Sequence, residues 1–407
     1  MTDRVLSPFH RSALCGMAIG MFMLSYGDRA VLSVSMPLIA HEFNLGPAQT
    51  GWVLSSFLWS YVILTFPASL LVDRYPTRTM GVAALLIWSV AMFMGGLSAT
   101  LFVFLMSRVL LGIGETPTFP LANRIVRQWS GEQHRGIILT ALVCSSQIGL
   151  AFGLLGSGWL AGWTGWRSAF LAYGALSIVM AVCWRSVFPA EAVKRMKWSD
   201  GRSLLNLLTQ RTFWGLLSPG AAGQYANFLM MSWFPTYLHR TFHLQTFETG
   251  LDASICYGVA AIFSVVLGKV AEKISLAFLP KQILAPRRLV VAVLLLGSSV
   301  IGILPFLDSV WLVLFCVSVV IGLIMAALGA NTALGSDLLV DGTRIGSVTG
   351  FGMIFGNGVG FLAPVTTGYL VHLTGTFSSA FYLAAFVLVA GAALATLLPR
   401  QPLQLTK

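Results

Sequence analysis

Four ionisable residues stand inside long apolar runs: Asp28 and Arg29 in the first run, Arg108 and Glu115 in the fourth. A charge at mid-membrane depth costs at least ~2.5–3.5 kcal/mol on insertion scales, so such residues earn their place by function or by pairing. Two acids and two bases can partly neutralise one another. Seven residues separate Arg108 from Glu115, which puts them on one helix face, two turns apart, lining one cavity without touching. Asp28 and Arg29 are neighbours and point about 100° apart, so they serve different partners. The chemistry this set can do is anion binding with proton transfer. Arg29 offers a planar, permanently charged fork that suits a carboxylate. Desolvation favours a neutral carboxyl and a nearby arginine favours the ionised one, so Asp28 and Glu115 are suited to change protonation as a cavity changes access. The alternative is a buried salt-bridge network that only fixes helix packing. Tyr26, Tyr61, Gln147, Gln224, Tyr225, Asn227, Ser336 and Asn357 are further polar residues at mid-span. They can contact a substrate or serve as hydrogen bonds between helices.

The elements that must position these residues are spanning helices. Of 407 residues 57% are hydrophobic and 10% charged, against about 25% charged in a soluble domain. That apolar surplus needs lipid as solvent. Twelve apolar segments lie near 12–38, 49–72, 79–98, 101–126, 137–161, 167–188, 212–238, 248–272, 288–306, 309–333, 346–371 and 377–398. Each approaches the ~20 residues that cross the hydrocarbon. The first is longer than a signal-peptide core and lacks a small-residue cleavage site, so it reads as span 1. The expected fold is an all-α integral membrane protein with twelve transmembrane helices.

Positive charge sets the expected topology. Twenty-one of the 25 Lys and Arg residues fall in the two tails and in alternate loops, while the opposite loops hold only Arg167 and Arg240. Both termini are therefore expected on the cytoplasmic side of a cell membrane, plasma or inner. The net charge of +11 follows from this bias, with no nucleic-acid partner required. A basic gap divides the chain into an N-terminal six-helix bundle (1–188), a cytoplasmic linker (189–211) and a C-terminal six-helix bundle (212–407). An acid followed by basic residues recurs after the second span of each half: Asp73, Arg74 and Arg78 in one, Glu272 and Lys273 in the other. Repeated halves around a central site are common among secondary transporters.

Other chemistry finds little support. The five cysteines all lie in apolar stretches without metal-ligand spacing, and read as small core residues. None of the six histidines has a clear mid-span position, and there is no Ser-His-Asp set, so neither a catalytic function nor a metal is expected. The glycine-dense run Gly350 to Gly360 reads as a helix that bends or packs tightly; no strand precedes it, so it is not a nucleotide signature.

Taken together, these residues resemble the major facilitator superfamily, and within it the anion:cation symporters that carry sugar acids and other organic anions. The resembling stretches are Tyr26-Gly-Asp28-Arg29-Ala-Val-Leu-Ser, Ser60-Tyr61, Asp73-Arg74 with Arg78, Trp233-Phe-Pro235-Thr-Tyr237-Leu, Gly356-Asn357 and, most specific, Arg108-Val-Leu-Leu-Gly112-Ile-Gly114-Glu115-Thr-Pro117-Thr-Phe-Pro120. The resemblance implies a two-bundle fold and alternating-access uptake of a small organic anion with protons. It implies that Arg29, Tyr61, Gln147 and Asn357 line the substrate cavity. Asp28 and Glu115 would be the proton-coupling acids with Arg108 as their electrostatic partner, and Asp73, Arg74 and Arg78 a cytoplasmic latch. Tyr26, Gln224, Tyr225 and Ser336 join the expected substrate set, and Glu272 the latch. Ser69 and Pro76 stand where the superfamily loop usually has glycines. Span 7 lacks the arginine found in some dicarboxylate carriers, which points to one carboxylate and several hydroxyls. Expected partners are the organic anion and the lipid bilayer, around a monomer, with no cofactor beyond the coupling proton. The competing readings are a sodium-coupled anion transporter and a proton-coupled exporter; span 5 lacks the proline motif of such exporters.

Overall fold

Apolar runs of this length leave the backbone no partner in lipid but itself, and helices result. The computed structural model describes residues 8–130, 135–189, 206–277, 287–338, 345–399 and 403. Its helices are α1 (Pro8–Glu42), α2 (Pro47–Arg74), α3 (Thr77–Gly96), α4 (Leu101–Glu115), α5 (Thr118–Trp129), α6 (Arg135–Thr164), α7 (Trp166–Val187), α8 (Arg211–Phe242), α9 (Thr246–Ala277), α10 (Arg287–Ser298), α11 (Val310–Leu338), α12 (Ile345–Thr374) and α13 (Ser378–Leu397). Short 3₁₀ segments cover Asn206–Thr209 and Ser299–Phe306. Among the described residues, nine spans are long and apolar enough to cross a membrane. The three long helices outside that set, α1, α6 and α8, carry Asp28, Arg29, Gln147, Gln224 and Tyr225.

Two expected spans are not uniform helices. The fourth breaks into α4 and α5 at Pro117. Proline lacks an N–H and crowds the carbonyl four residues back. That carbonyl belongs to Ile113, and it accepts instead from the Thr116 hydroxyl at 2.7 Å. Glu115 thus ends α4 at the break. The ninth span changes from α to 3₁₀ at Ser299. There Ser298 and Ser299 donate to the carbonyls of Leu294 and Leu296, a competition that loosens a helix.

The chain groups into two units. Unit 1 comprises Met1–Asn44, Ser56–Lys197 and His243–Ser254; unit 2 comprises Leu45–Ser55, Trp198–Phe242 and Ile255–Lys407. The first turns of α2 therefore pack in unit 2, and those of α9 in unit 1. Glycines make this possible. A Cβ at Gly51 would lie 2.5 Å from the Pro364 carbonyl, with Gly368 also in reach, and one at Gly250 would lie 2.6 Å from the Leu154 carbonyl and 2.9 Å from Gly158. These are backbone-on-backbone crossings that only glycine permits.

In unit 1, α1 packs along α6, and α3 along both α4 and α7. Gly153 meets Gly27 and Ala30, and Gly149 meets Met23, so α1 and α6 touch along their backbones. The end of α1 is tied by Arg167, which donates to both Glu42 oxygens at 2.7 and 2.6 Å and to the Ser98 carbonyl. These bonds hold the Glu42 carboxyl below the usual carboxylate range. In unit 2, α8 is central, packed by α11, α12 and α13. Pro399 and Leu403 are buried against this unit. The Leu403 N–H donates to the Leu338 carbonyl at the end of α11, Arg288 of α10 donates to the Pro399 carbonyl, and the Pro399 ring lies on Gly215 of α8.

Candidate functional site

α1 and α4 bring the four buried charges of unit 1 together. Arg29 donates to Glu115 Oε2 through Nη2 at 2.7 Å and through Nε at 3.1 Å. Ser25, one turn before Arg29, donates to the same oxygen at 3.1 Å. Oε1 of Glu115 is buried without a partner. The guanidinium carbon of Arg29 lies 4.7, 4.9 and 5.3 Å from the ring centres of Tyr26, Phe57 and Tyr61. Three aromatic rings thus hold its plane while one carboxylate oxygen takes its charge.

The arrangement depends on how closely α4 approaches its neighbours. A Cβ at Gly112 would sit 2.2 Å from the Phe57 carbonyl of α2, and one at Gly114 would sit 2.9 Å from the Trp88 backbone of α3. The Gly-Ile-Gly step therefore presses α4 onto two helices at once. Ser60 reinforces the first contact by donating to the Val109 carbonyl at 2.6 Å. That crossing carries Phe57 and Tyr61 to Arg29.

Arg108 makes no ion pair with Glu115, in keeping with the two turns of rise between them; its charge acts on Asp28 and Glu115 without contact, and α1 supplies the guanidinium that touches Glu115. Arg108 is fully buried, 4.7 Å from the Phe170 ring centre and 5.3 Å from that of Phe104. It donates to Ser107 Oγ at 3.2 Å and to Met92 Sδ at 3.7 Å, and its Nη1 has no hydrogen-bond partner. Gly95 makes room for it; a Cβ there would meet Nη2 at 2.6 Å. Asp28 is fully buried, and neither of its oxygens accepts a hydrogen bond. Charges that act on it without contact are Glu115, Arg108 and Arg29. Gln147 of α6 is buried with Oε1 unpartnered.

Unit 2 holds a second, uncharged group. Gln224 donates to Asn357 Oδ1 at 3.3 Å and accepts from Asn227 at 3.4 Å. Tyr225 shares a 2.7 Å hydrogen bond with Thr366. Gly352, Gly356 and Gly360 form one face of α12, over Leu217, Gln224 and Phe228 of α8 respectively. The glycine run therefore packs tightly, as its composition implies, and aligns Asn357 with Gln224. The side chains of Ser336 and Glu272 lie outside the described residues.

At the end of α2, Arg74 rests over the Tyr75 ring at 5.5 Å, and the Nε of Arg78 is buried without a hydrogen bond. The contact that ties this turn comes from a residue the motifs did not single out. Arg124 of α5 donates to the carbonyls of Val72 and Tyr75, the latter at 2.7 Å. Ser25, Phe57 and Thr366 were likewise missed; each is a common residue in an apolar run, visible only once helix rotation is known.

A buried charge cluster in unit 1 and an amide-hydroxyl group in unit 2, carried on long apolar helices, are the features of a multi-pass membrane transporter. The Major Facilitator Superfamily model matches residues 18–338, and the chain belongs to that family. It is 27% identical to the probable galactarate/D-glucarate transporter GudP of Bacillus subtilis, covering 88% of this chain and 85% of that protein. It is 26% identical to the hexuronate transporter of the same organism over 89% of this chain and 88% of the relative. A probable L-galactonate transporter of Escherichia coli is 26% identical over 94% and 87%. Among solved structures, a bacterial homolog of the human lysosomal transporter Spinster, inward-facing and occupied, superimposes with a TM-score of 0.74 at 19% identity, covering 97% and 96%. That likeness concerns the fold alone.

Proposed function

We propose that this chain takes up a small hydroxylated monocarboxylate together with protons, across a cell membrane, with both termini on the cytoplasmic side. The observation that carries the reading is the Arg29–Glu115 pair: Nε and Nη2, the donors that would clasp a substrate carboxylate, are both spent on Glu115 Oε2. Substrate and Glu115 compete for one fork. A proton on Glu115 removes its charge and releases Arg29 to the substrate; the substrate in turn favours a protonated Glu115. Linkage makes that coupling reciprocal. Asp28, buried with no donor aimed at either oxygen, is a second place for a proton beside Arg108.

The substrate class rests on three supports. Arg29 suits one carboxylate. Gln224, Asn227, Asn357 and Tyr225 offer amides and hydroxyls that match a polyol and supply no second cation. The relatives are named for hexuronate and galactonate, hydroxylated monocarboxylates, and for galactarate and D-glucarate, which add a second carboxylate; hydroxylated acids are what they share. Uptake of labelled D-gluconate and D-glucuronate into proteoliposomes tests the reading. Accumulation driven by an inward-acid pH gradient is expected. Uptake that ignores pH and follows sodium, or net movement only outward, would replace it.

A further inference from the structure

A separate cleft of about 410 Å³ opens in unit 2 where α8, the 3₁₀ segment before α11, and α12 end and α13 begins, and Arg240 and Asp308 both line it. Its size falls in the ~300–1,000 Å³ range of small-molecule sites. The wall is aromatic and fixed. The Tyr237 ring meets Phe242, Phe377 and Phe381 near-perpendicularly, at 6.1, 5.5 and 5.1 Å between centres, and its hydroxyl donates to the Leu304 carbonyl at 3.5 Å. Rings so braced present rigid apolar surface.

The two charges are the informative part. Neither Arg240 nor Asp308 forms an ion pair among the described residues. The matching turn of unit 1 shows that the fold does not require this. There the helix ends around Gly165 are closed by Arg167, spent on Glu42 and the Ser98 carbonyl; in unit 2 the turn at Gly375, also at positive φ, has no such tie. Arg240 and Arg167 are the only basic residues in the loops expected to be extracellular, so Arg240 is the one whose charge is not spent.

We propose that this cleft is a second, entry-side site for hydroxylated carboxylates, with Arg240 taking the carboxylate, Asp308 accepting from hydroxyls and the Tyr237–Phe377–Phe381 wall covering the carbon chain. Charge recognition by a guanidinium, hydroxyl recognition by a carboxylate and an apolar ring face together match a sugar acid better than a neutral sugar or a simple fatty acid. This rests on the organic-anion reading above, but the site is distinct from Arg29.

The test separates the two. Purified protein carrying Arg29→Ala, which lacks the buried anchor, is probed with D-gluconate by saturation-transfer NMR. A signal is expected to persist. Adding Arg240→Ala should weaken it by about tenfold, the size of one charge-assisted hydrogen bond, while Arg240→Lys should keep part of it and D-glucose should give none. In proteoliposomes, Arg240→Ala alone should raise KM and leave kcat unchanged. Thermal unfolding should match the parent, since Arg240 is exposed. Absence of any gluconate signal in Arg29→Ala, a signal indifferent to Arg240→Ala, or stronger binding of glycine than of gluconate would overturn the site. Absence of carboxylate uptake by the wild type would instead overturn the transport reading, and the binding result would stand on its own.

Discussion

At the scale of single residues, the pairing of Arg29 with Glu115 makes two predictions. Arg29→Ala should abolish carboxylate binding at the buried anchor of a folded protein, leaving only the weaker binding that depends on Arg240, and Arg29→Lys should restore little, because a point charge cannot reproduce a fork held between three rings. Isothermal titration of the purified variants checks this; wild-type affinity in Arg29→Ala would refute the anchor. Glu115→Gln removes the competing charge and fixes a protonated-like state. It should retain counterflow exchange and lose accumulation driven by a pH gradient, whereas Asp28→Asn should damage both, because it leaves buried Arg108 with one fewer opposing charge. Parallel counterflow and gradient-driven assays separate these outcomes. The four charges themselves were legible as ionisable residues in apolar runs. Their pairing was not, because sequence spacing within α4 says nothing about which face α1 turns toward it. Arg124 escaped notice for a related reason: it looks like one more loop arginine until its guanidinium is seen on the Val72 and Tyr75 carbonyls at the end of α2.

At the scale of elements, twelve spans were readable from apolar length and loop charge, and the observed helix ends fall within a few residues of them. The interruptions were harder. Thr116-Pro117 stood in plain view, yet an apolar run conceals a break whose freed carbonyl is capped from within, as Ile113 is by Thr116. The glycines can be sorted by what they face. Gly112→Ala should lower the melting temperature sharply, since its Cβ would collide with the Phe57 carbonyl at 2.2 Å and neither backbone can yield. Gly360→Ala should be milder, because the Phe228 ring at 2.4 Å can rotate. Gly350→Ala meets nothing within 4 Å, and should be neutral or gain up to about 1 kcal/mol of helix preference. Thermal unfolding in detergent ranks the three; a destabilised Gly350→Ala with an unaffected Gly112→Ala would contradict this packing.

Across the whole molecule, the repeat between halves is deeper than the acid-and-base loops that first hinted at it. Positive-φ turns fall at Asn44 and Gly165 in one half and at His243 and Gly375 in the other. Gly51 of α2 crosses Gly368 of α12, and Gly250 of α9 crosses Gly158 of α6, which are equivalent contacts made within different units. Gly51→Val and Gly250→Val should therefore impair uptake and stability to a similar degree, while Gly258→Val, with open space around its Cβ, should be tolerated. A strong effect at only one of the pair would break the equivalence. The charge bias predicts further that a cysteine placed at Lys197 stays unlabelled by an impermeant maleimide in sealed cells. Sequence alone drew the division between halves at the basic linker. It could not show that the first turns of α2 and α9 pack in the opposite unit, since that depends on glycines far apart in the chain.

The seating of Leu403 on Leu338, and of Pro399 on Arg288 and Gly215, has a bearing on biosynthesis. The residues that satisfy the α11 carbonyl and the Arg288 guanidinium leave the ribosome only after α13. Membrane insertion of α8 to α13 can precede them, but the second unit cannot finish closing until they have emerged. A chain released early, at residue 398, would hold α1 to α13 and still present an unsatisfied arginine and an open seam to the proteases that survey newly made membrane proteins.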